Sequence, residues 1–219
     1  MRFVLAGLVL AGALLDGASS GPTANGGSGR AADGAKSVQL SSYLAGCALG
    51  EGESVTLSVA GRTRTFEGRF GLATSWWSRA ASLEEERWVT ACLLARTNLF
   101  GRKVFVAMRG AHPNLRSAAE SPDEHTVQEG AFYGNLFAEP PTTYACRGDH
   151  PPGSSDALAH RVCAERDGSA SRTRCGFVDM GRCSDVCELE ASSGYYRRCR
   201  GGADVHDEVI TVYLARRAE

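Results

Sequence analysis

The sequence predicts an α+β fold: a mainly antiparallel sheet packed on a central helix at residues 83–98, with a disulfide-rich C-terminal part. Three observations carry this expectation. Helix, turn and strand signals follow one another without a gap from Ser82 to Gly110. Short runs of strand type stand on either side of that stretch, and six of the eight cysteines crowd between Cys146 and Cys199. An all-β sandwich with minor helices is the alternative architecture.

The central helix is the most fully specified element. Ser82 and Glu85 stand at capping-box spacing, and Glu84, Glu85 and Glu86 fill the first turn, where the partial positive end of a helix favours anions. Trp88, Cys92, Ala95 and Leu99 form one apolar stripe, with Val89, Leu93 and Arg96 beside it. Gly101 supplies a left-handed stop, after which Val104 to Met108 reads as a short buried strand. Before the helix, Val55, Leu57 and Val59 alternate with Ser54, Thr56 and Ser58, and Ala60-Gly61 turns the chain into a return strand over 62–70. After it, residues 111–128 form a polar excursion with Pro113 and Pro122. Glu129 to Phe137 is an aromatic segment punctuated by glycines, suited to a buried strand or turn on the central helix. A helix is expected over 156–167. The apolar run VITVYL, 209–214, is a final strand expected to close the sheet begun by the hairpin.

At 219 residues, 43% hydrophobic and 22% charged, the chain supports one substantial core. Residues 3–15 form an apolar run too short to span a bilayer comfortably but the size of a signal-peptide core, and Ala18 and Ser20 place cleavage after Ser20. The expected organisation is therefore a signal peptide at 1–20, a flexible Gly-, Ala- and Ser-rich leader at 21–37, and one disulfide-stabilised domain at 38–219 whose cysteine-dense part is 146–202. No transmembrane segment is expected after cleavage. The net charge is −1, and only Lys36 and Lys103 are lysines among 24 basic residues. A near-neutral chain lacks the field that draws in phosphate backbones, so nucleic acid is not an expected partner.

The cysteines are Cys47, Cys92, Cys146, Cys163, Cys175, Cys183, Cys187 and Cys199. An even set in an exported chain points to disulfides, with 105 possible pairings that spacing does not separate. A metal site at Cys175, Cys183, Cys187 and Cys199 is the competing reading. Their gaps of seven, three and eleven residues are not the paired knuckles of zinc sites, so neither metal nor cofactor is implied.

Candidate chemistry is sparse. Trp76 and Trp77 could offer a sugar-stacking surface or anchor packing. Phe132 and Tyr133 could belong to a ligand-contacting loop. His125 and Glu129 have the spacing of metal ligands on a helix, but Pro122 and Gly130 disfavour a helix there. Asp123, Glu124 and Glu129 could include a carboxylate pair for glycoside hydrolysis. A cysteine nucleophile would need a free thiol, which an even exported set does not obviously leave. No nucleophile elbow, phosphate loop, zinc-protease helix or dinucleotide fingerprint occurs.

Several phrases carry a resemblance: CALG at 47–50, FEGRFGLA at 66–73, WVTACLLARTNLFG at 88–101, MRG at 108–110, EGAFYGNLF at 129–137 and CGF…GRCSDVC at 175–187. Together they resemble a family of uncharacterised, exported, cysteine-rich bacterial proteins over roughly residues 43–187. The resemblance implies export, to the periplasm, cell surface or beyond, and a cysteine-rich architecture. It transfers no catalytic or binding residue. The expected role is binding or structural, with an envelope component or a glycan as partner, and the pattern leans away from an enzyme. A secreted hydrolase with a site near residues 111–137 is the alternative.

Overall fold

The computed structural model describes residues 28–97, 105–116, 125–148 and 175–215, with side chains from residue 36 onward. The expected signal peptide, the Leu99 and Gly101 positions and the expected helix at 156–167 lie outside the described residues. The architecture is α+β, and the helices rule out the all-β alternative.

The chain enters through helix α1, Ser28–Ala48, followed by the hairpin β1, Ser54–Val59, and β2, Arg62–Glu67. Helix α2, Leu83–Arg96, comes next, then β3, Val106–Arg109, the short α3, Pro113–Arg116, the long β4, His125–Asn135, and β5, Thr142–Arg147. The C-terminal part contains β6, Val178–Arg182, α4, Cys183–Val186, β7, Glu188–Glu190, β8, Tyr195–Arg197, β9, Cys199–Gly201, and β10, Asp204–His206. Strand β11, Ile210–Ala215, returns to the main sheet. That sheet has the order β3-β11-β4-β5-β6, antiparallel except for the last pair.

Successive residues of β4 serve opposite faces, as the pleat requires. Phe132 enters a core built mainly from α2, with Trp88, Val89, Cys92, Ile210 and Val212. Ala131 and Tyr133 face a second core shared with Cys146, Cys183, Tyr196 and Cys199. The sheet is therefore covered on one face by α2 and on the other by the cysteine-dense part. A third, smaller cluster joins Ala45 of α1 and Leu49 just after it to Val59 and Phe66 of the hairpin.

Ser82 caps α2 as expected: its hydroxyl accepts from the Glu85 amide at 3.3 Å, and Glu85 Oε2 accepts from the Ser82 amide at 2.8 Å. The helix ends at Arg96, with Thr97 already extended, short of the glycine stop expected at 101. Every residue from Trp88 to Ala95 is buried, not one stripe alone, because α2 packs on the sheet with one side and on α1 with the other. A disulfide between Cys47 and Cys92 fastens α1 to α2, with Cα atoms 5.9 Å apart.

Two sequence expectations are corrected. The leader expected to be flexible to residue 37 is helical from Ser28. Ala31, Ala32 and Ala35 favour a helix while Gly29 and Gly34 oppose it, and propagation from the docked C-terminal half of α1 carries the helix through them. The hairpin is likewise not part of the sheet that β11 completes. Among the described residues it forms a two-stranded sheet of its own, while β11 lies between β3 and β4. The turn at Ala60-Gly61 does form as expected, with positive φ at both residues, the geometry that matches strand twist.

The glycines of the 129–137 segment have a steric reason. A Cβ on Gly130 would collide with the Cys146 carbonyl oxygen, and one on Gly134 with that of Thr142, so β4 and β5 approach too closely for side chains there. Across the other edge, β4 carries register shifts against β11 that skip Glu129 and Thr126 in that pairing.

Candidate functional site

The N-terminal end of α2 brings the half-buried Trp76 and the exposed Trp77 together with several half-buried charges. Residues 75–79 fold back as turns, with the Ser75 carbonyl accepting from the Ser78 and Arg79 amides. Ser75 Oγ donates to Glu85 Oε1 at 2.8 Å, and Arg79 pairs with the same carboxylate. Burial alone would raise the Glu85 carboxyl, but the Ser82 amide, the Ser75 and Ser82 hydroxyls and Arg79 outweigh it and hold the group at about 2. This network fixes the tryptophan loop to the helix.

Trp76 packs edge-on against Phe137, with ring centroids 5.1 Å apart, and Trp77 beside it is 47% exposed. Leu83, the first residue of α2, is 56% exposed. The end of β4 is tied down by polar contacts: Asn135 Nδ2 donates to Glu86 Oε2 at 3.0 Å, Asn135 Oδ1 accepts from the Phe137 amide, and Thr90 Oγ1 accepts from the Leu136 amide. An aromatic surface thus stands next to a carboxylate and an amide that are themselves held in place.

A second set of polar groups lies along the same helix. Arg87 Nη1 is 3.5 Å from Glu208 Oε2. Burial pushes the Glu208 carboxyl up, partly offset by its own backbone amide and by Arg87. His206 is 2% exposed, and neither ring nitrogen has a hydrogen-bond partner among the described residues. Burial lowers its pKa first, Arg87 adds to that, and Asp204 and Asp207 oppose it, so the neutral imidazole is favoured. Its ring forms a triangle with Tyr133 and Tyr144, with centroid separations of 5.4, 5.5 and 5.6 Å. Gly201 lets the β9–β10 hairpin close on this triangle, since a Cβ there would lie 2.6 Å from the Tyr144 ring. Tyr133 Oη donates to the Arg200 carbonyl at 2.8 Å, and burial raises the phenol well above its ordinary value. Near the same turn of α2, His112 meets Trp88 edge-on, and burial lowers its pKa against the pull of Glu84.

Neither a family model, nor a curated protein, nor a solved structure matches this chain.

Of the residues singled out in the sequence, Trp76 and Trp77 lie at the surface. Phe132 and Tyr133 do not: both are fully buried, on opposite faces of β4, so they pack the two cores and present no ring to a ligand. His125 and Glu129 sit on one strand rather than a helix and are both buried. Asp123 and Glu124 lie outside the described residues. Among the described residues no group of three or more His, Cys, Asp and Glu is placed to hold a metal ion. No helix among them is long and apolar enough to cross a membrane.

The cysteines form disulfides: Cys47–Cys92, Cys146–Cys183 and Cys187–Cys199, with Cys175 also bonded. Cys163 lies outside the described residues. The four-cysteine metal reading is thereby overturned, because the sulfurs at 175, 183, 187 and 199 are oxidised. Phe137, Asn135, Arg87, Glu208 and His206 were not singled out in the sequence. Phe137 had a signal in its aromatic segment, whereas the approach of 206–208 to α2 had none.

Proposed function

We propose that this chain is an exported, disulfide-stabilised domain of the cell envelope or its surroundings with a binding role, and that it contacts a glycan through the Trp76–Trp77 corner. The observation that carries the reading is the partly exposed indole of Trp77 beside Trp76, itself braced by Phe137. Sugar rings stack on such faces through their C–H groups, while nearby carboxylate and amide groups take the hydroxyls. Glu86, half-buried in the first turn of α2 and held by the buried Asn135 amide, is the carboxylate at the base of the corner. The disulfides suit an oxidising compartment, in line with the resemblance to exported, cysteine-rich bacterial proteins. Titrating the folded protein with a panel of envelope oligosaccharides tests this. Binding that Trp77→Ala weakens at least about tenfold, or about 1.4 kcal/mol, with unchanged circular dichroism, supports it. Absence of any saccharide binding, or equal binding by the variant, overturns it.

A second reading is a secreted hydrolase with its site near residues 111–137. It is favoured by His125, whose buried ring nitrogens have no hydrogen-bond partner among the described residues. Turnover of a substrate panel that disappears on His125→Ala, with the fold intact, would select it over the first.

A further inference from the structure

The cysteine-dense part holds two disulfides in contact. Cys146 is bonded to Cys183, Cys187 is bonded to Cys199, and Cys146 Sγ lies 3.7 Å from Cys187 Sγ. Cys183 and Cys187 bracket the single turn of α4, whose closing bond runs from the Cys187 amide to the Cys183 carbonyl at 2.8 Å. That turn presents both sulfurs to Cys146 on β5, so Cys146 can change partner with little displacement of the backbone. Access is graded in the same direction. Cys146, Cys183 and Cys199 are fully buried, whereas Cys187 is partly exposed. A thiol arriving from solvent therefore meets Cys187 first.

We propose that these four cysteines form a thiol–disulfide exchange site that accepts electrons from a dithiol reductant. One thiolate of the reductant attacks Cys187 Sγ, breaking the 187–199 bond and releasing the Cys199 thiolate, which takes up a proton. The second thiol of the reductant, deprotonated, attacks its own sulfur in the mixed disulfide and releases the Cys187 thiolate, leaving the reductant oxidised to a disulfide. The Cys187 thiolate then attacks Cys146 Sγ, forming a 146–187 bond and releasing Cys183, which is protonated. The chain has gained two electrons and two protons. The disulfide left among these four cysteines is exchangeable between 146–183 and 146–187. The product ties β5 to the end of α4 instead of its start, and leaves β9 without a covalent tether. The same reduction therefore loosens the β9–β10 hairpin that His206 clamps.

The test uses the full chain. The protein is treated with increasing dithiothreitol, quenched in acid, alkylated and mapped by mass spectrometry. The expected first product carries alkyl groups on Cys199 and on either Cys183 or Cys187, with 146–183 and 146–187 peptides within about tenfold of each other, the span of 1.4 kcal/mol. Failure to find a 146–187 peptide at any reductant concentration, or loss of 146–183 before 187–199, overturns the proposal. In Cys199→Ser, which places the Cys187 thiol beside the intact 146–183 bond, the same two peptides are expected without reductant. A single 146–183 peptide with Cys187 wholly alkylated counts against it. If that variant does not fold, the wild-type series alone decides. Neither measurement depends on Trp77, so the outcome is separable from the glycan reading.

Discussion

The two faces of the central sheet are stabilised by different means. The α2 face buries tryptophan, phenylalanine, leucine, isoleucine and valine side chains in quantity, and its single described disulfide joins two helices already in contact. The opposite face has seven fully buried members, and three of them are cysteines. It compensates with hydroxyl bonds. Tyr133 donates to the Arg200 carbonyl, Tyr196 to Gln128 Oε1 and Tyr213 to the Gly194 carbonyl, while Thr211 Oγ1 accepts from the Tyr196 amide. The lesson is that β7 to β10, strands of three residues each, lack the apolar area to fold alone and are held by cross-links and specific polar contacts.

Substitutions can break or sharpen this contrast. The largest effect is expected at Phe132→Ala, which opens a cavity in the α2 face and should cost about 3–5 kcal/mol of global stability in denaturant titration. The paired change Cys187→Ser and Cys199→Ser should cost about 3 kcal/mol by loop-closure entropy. Its hydrogen-exchange signature should be confined to residues 188–206, leaving amides of α2 protected. Loss of protection throughout would show that the two faces are one cooperative unit. Ser82→Ala removes the α2 cap and should cost about 1 kcal/mol.

Acidity separates the faces further. Glu85 has a folded pKa of about 2 against an ordinary 4.5, so its contribution is present above pH 4.5 and lost as pH falls towards 2. His206 works at higher pH. Its folded pKa is lowered, so the unfolded chain binds the proton more readily, and stability declines as pH falls below about 6.5. His206→Phe should flatten that decline, with a residue left by His112, whose pKa is also lowered. The check is the denaturation midpoint measured from pH 8 to pH 5. The smallest effect on stability is expected at Trp77→Ala, within about 0.5 kcal/mol, since its ring is half exposed.

Local chemistry was legible in the sequence where it acts over short distances. The capping box of α2, the Ala60-Gly61 turn and the alternation of β1 each depend on neighbours within a few residues. The partner of β11 was not legible, because VITVYL can pair with any exposed strand edge and nothing in its own residues selects β3 and β4 over the hairpin. Phe132 and Tyr133 were misjudged for a related reason: both faces of this sheet are covered, and an aromatic pair looks the same whether one face or two are buried. Of the candidate site, the tryptophans were visible. The Arg87–Glu208 pair and the His206 triangle were not, since they join residues more than 60 positions apart.

The placement of β11 also sets the order in which the molecule can be assembled. Residues 210–215 fill the slot between 106–109 and 125–135, so β3 has no partner in the main sheet, and one edge of β4 stays bare, until that late stretch exists. At roughly 5–20 residues per second of synthesis, β4 waits about 4–15 s for its neighbour. Over that interval the nascent chain offers an open, apolar strand margin, and a holding factor or delivery in an unstructured state would prevent it from annealing to other chains.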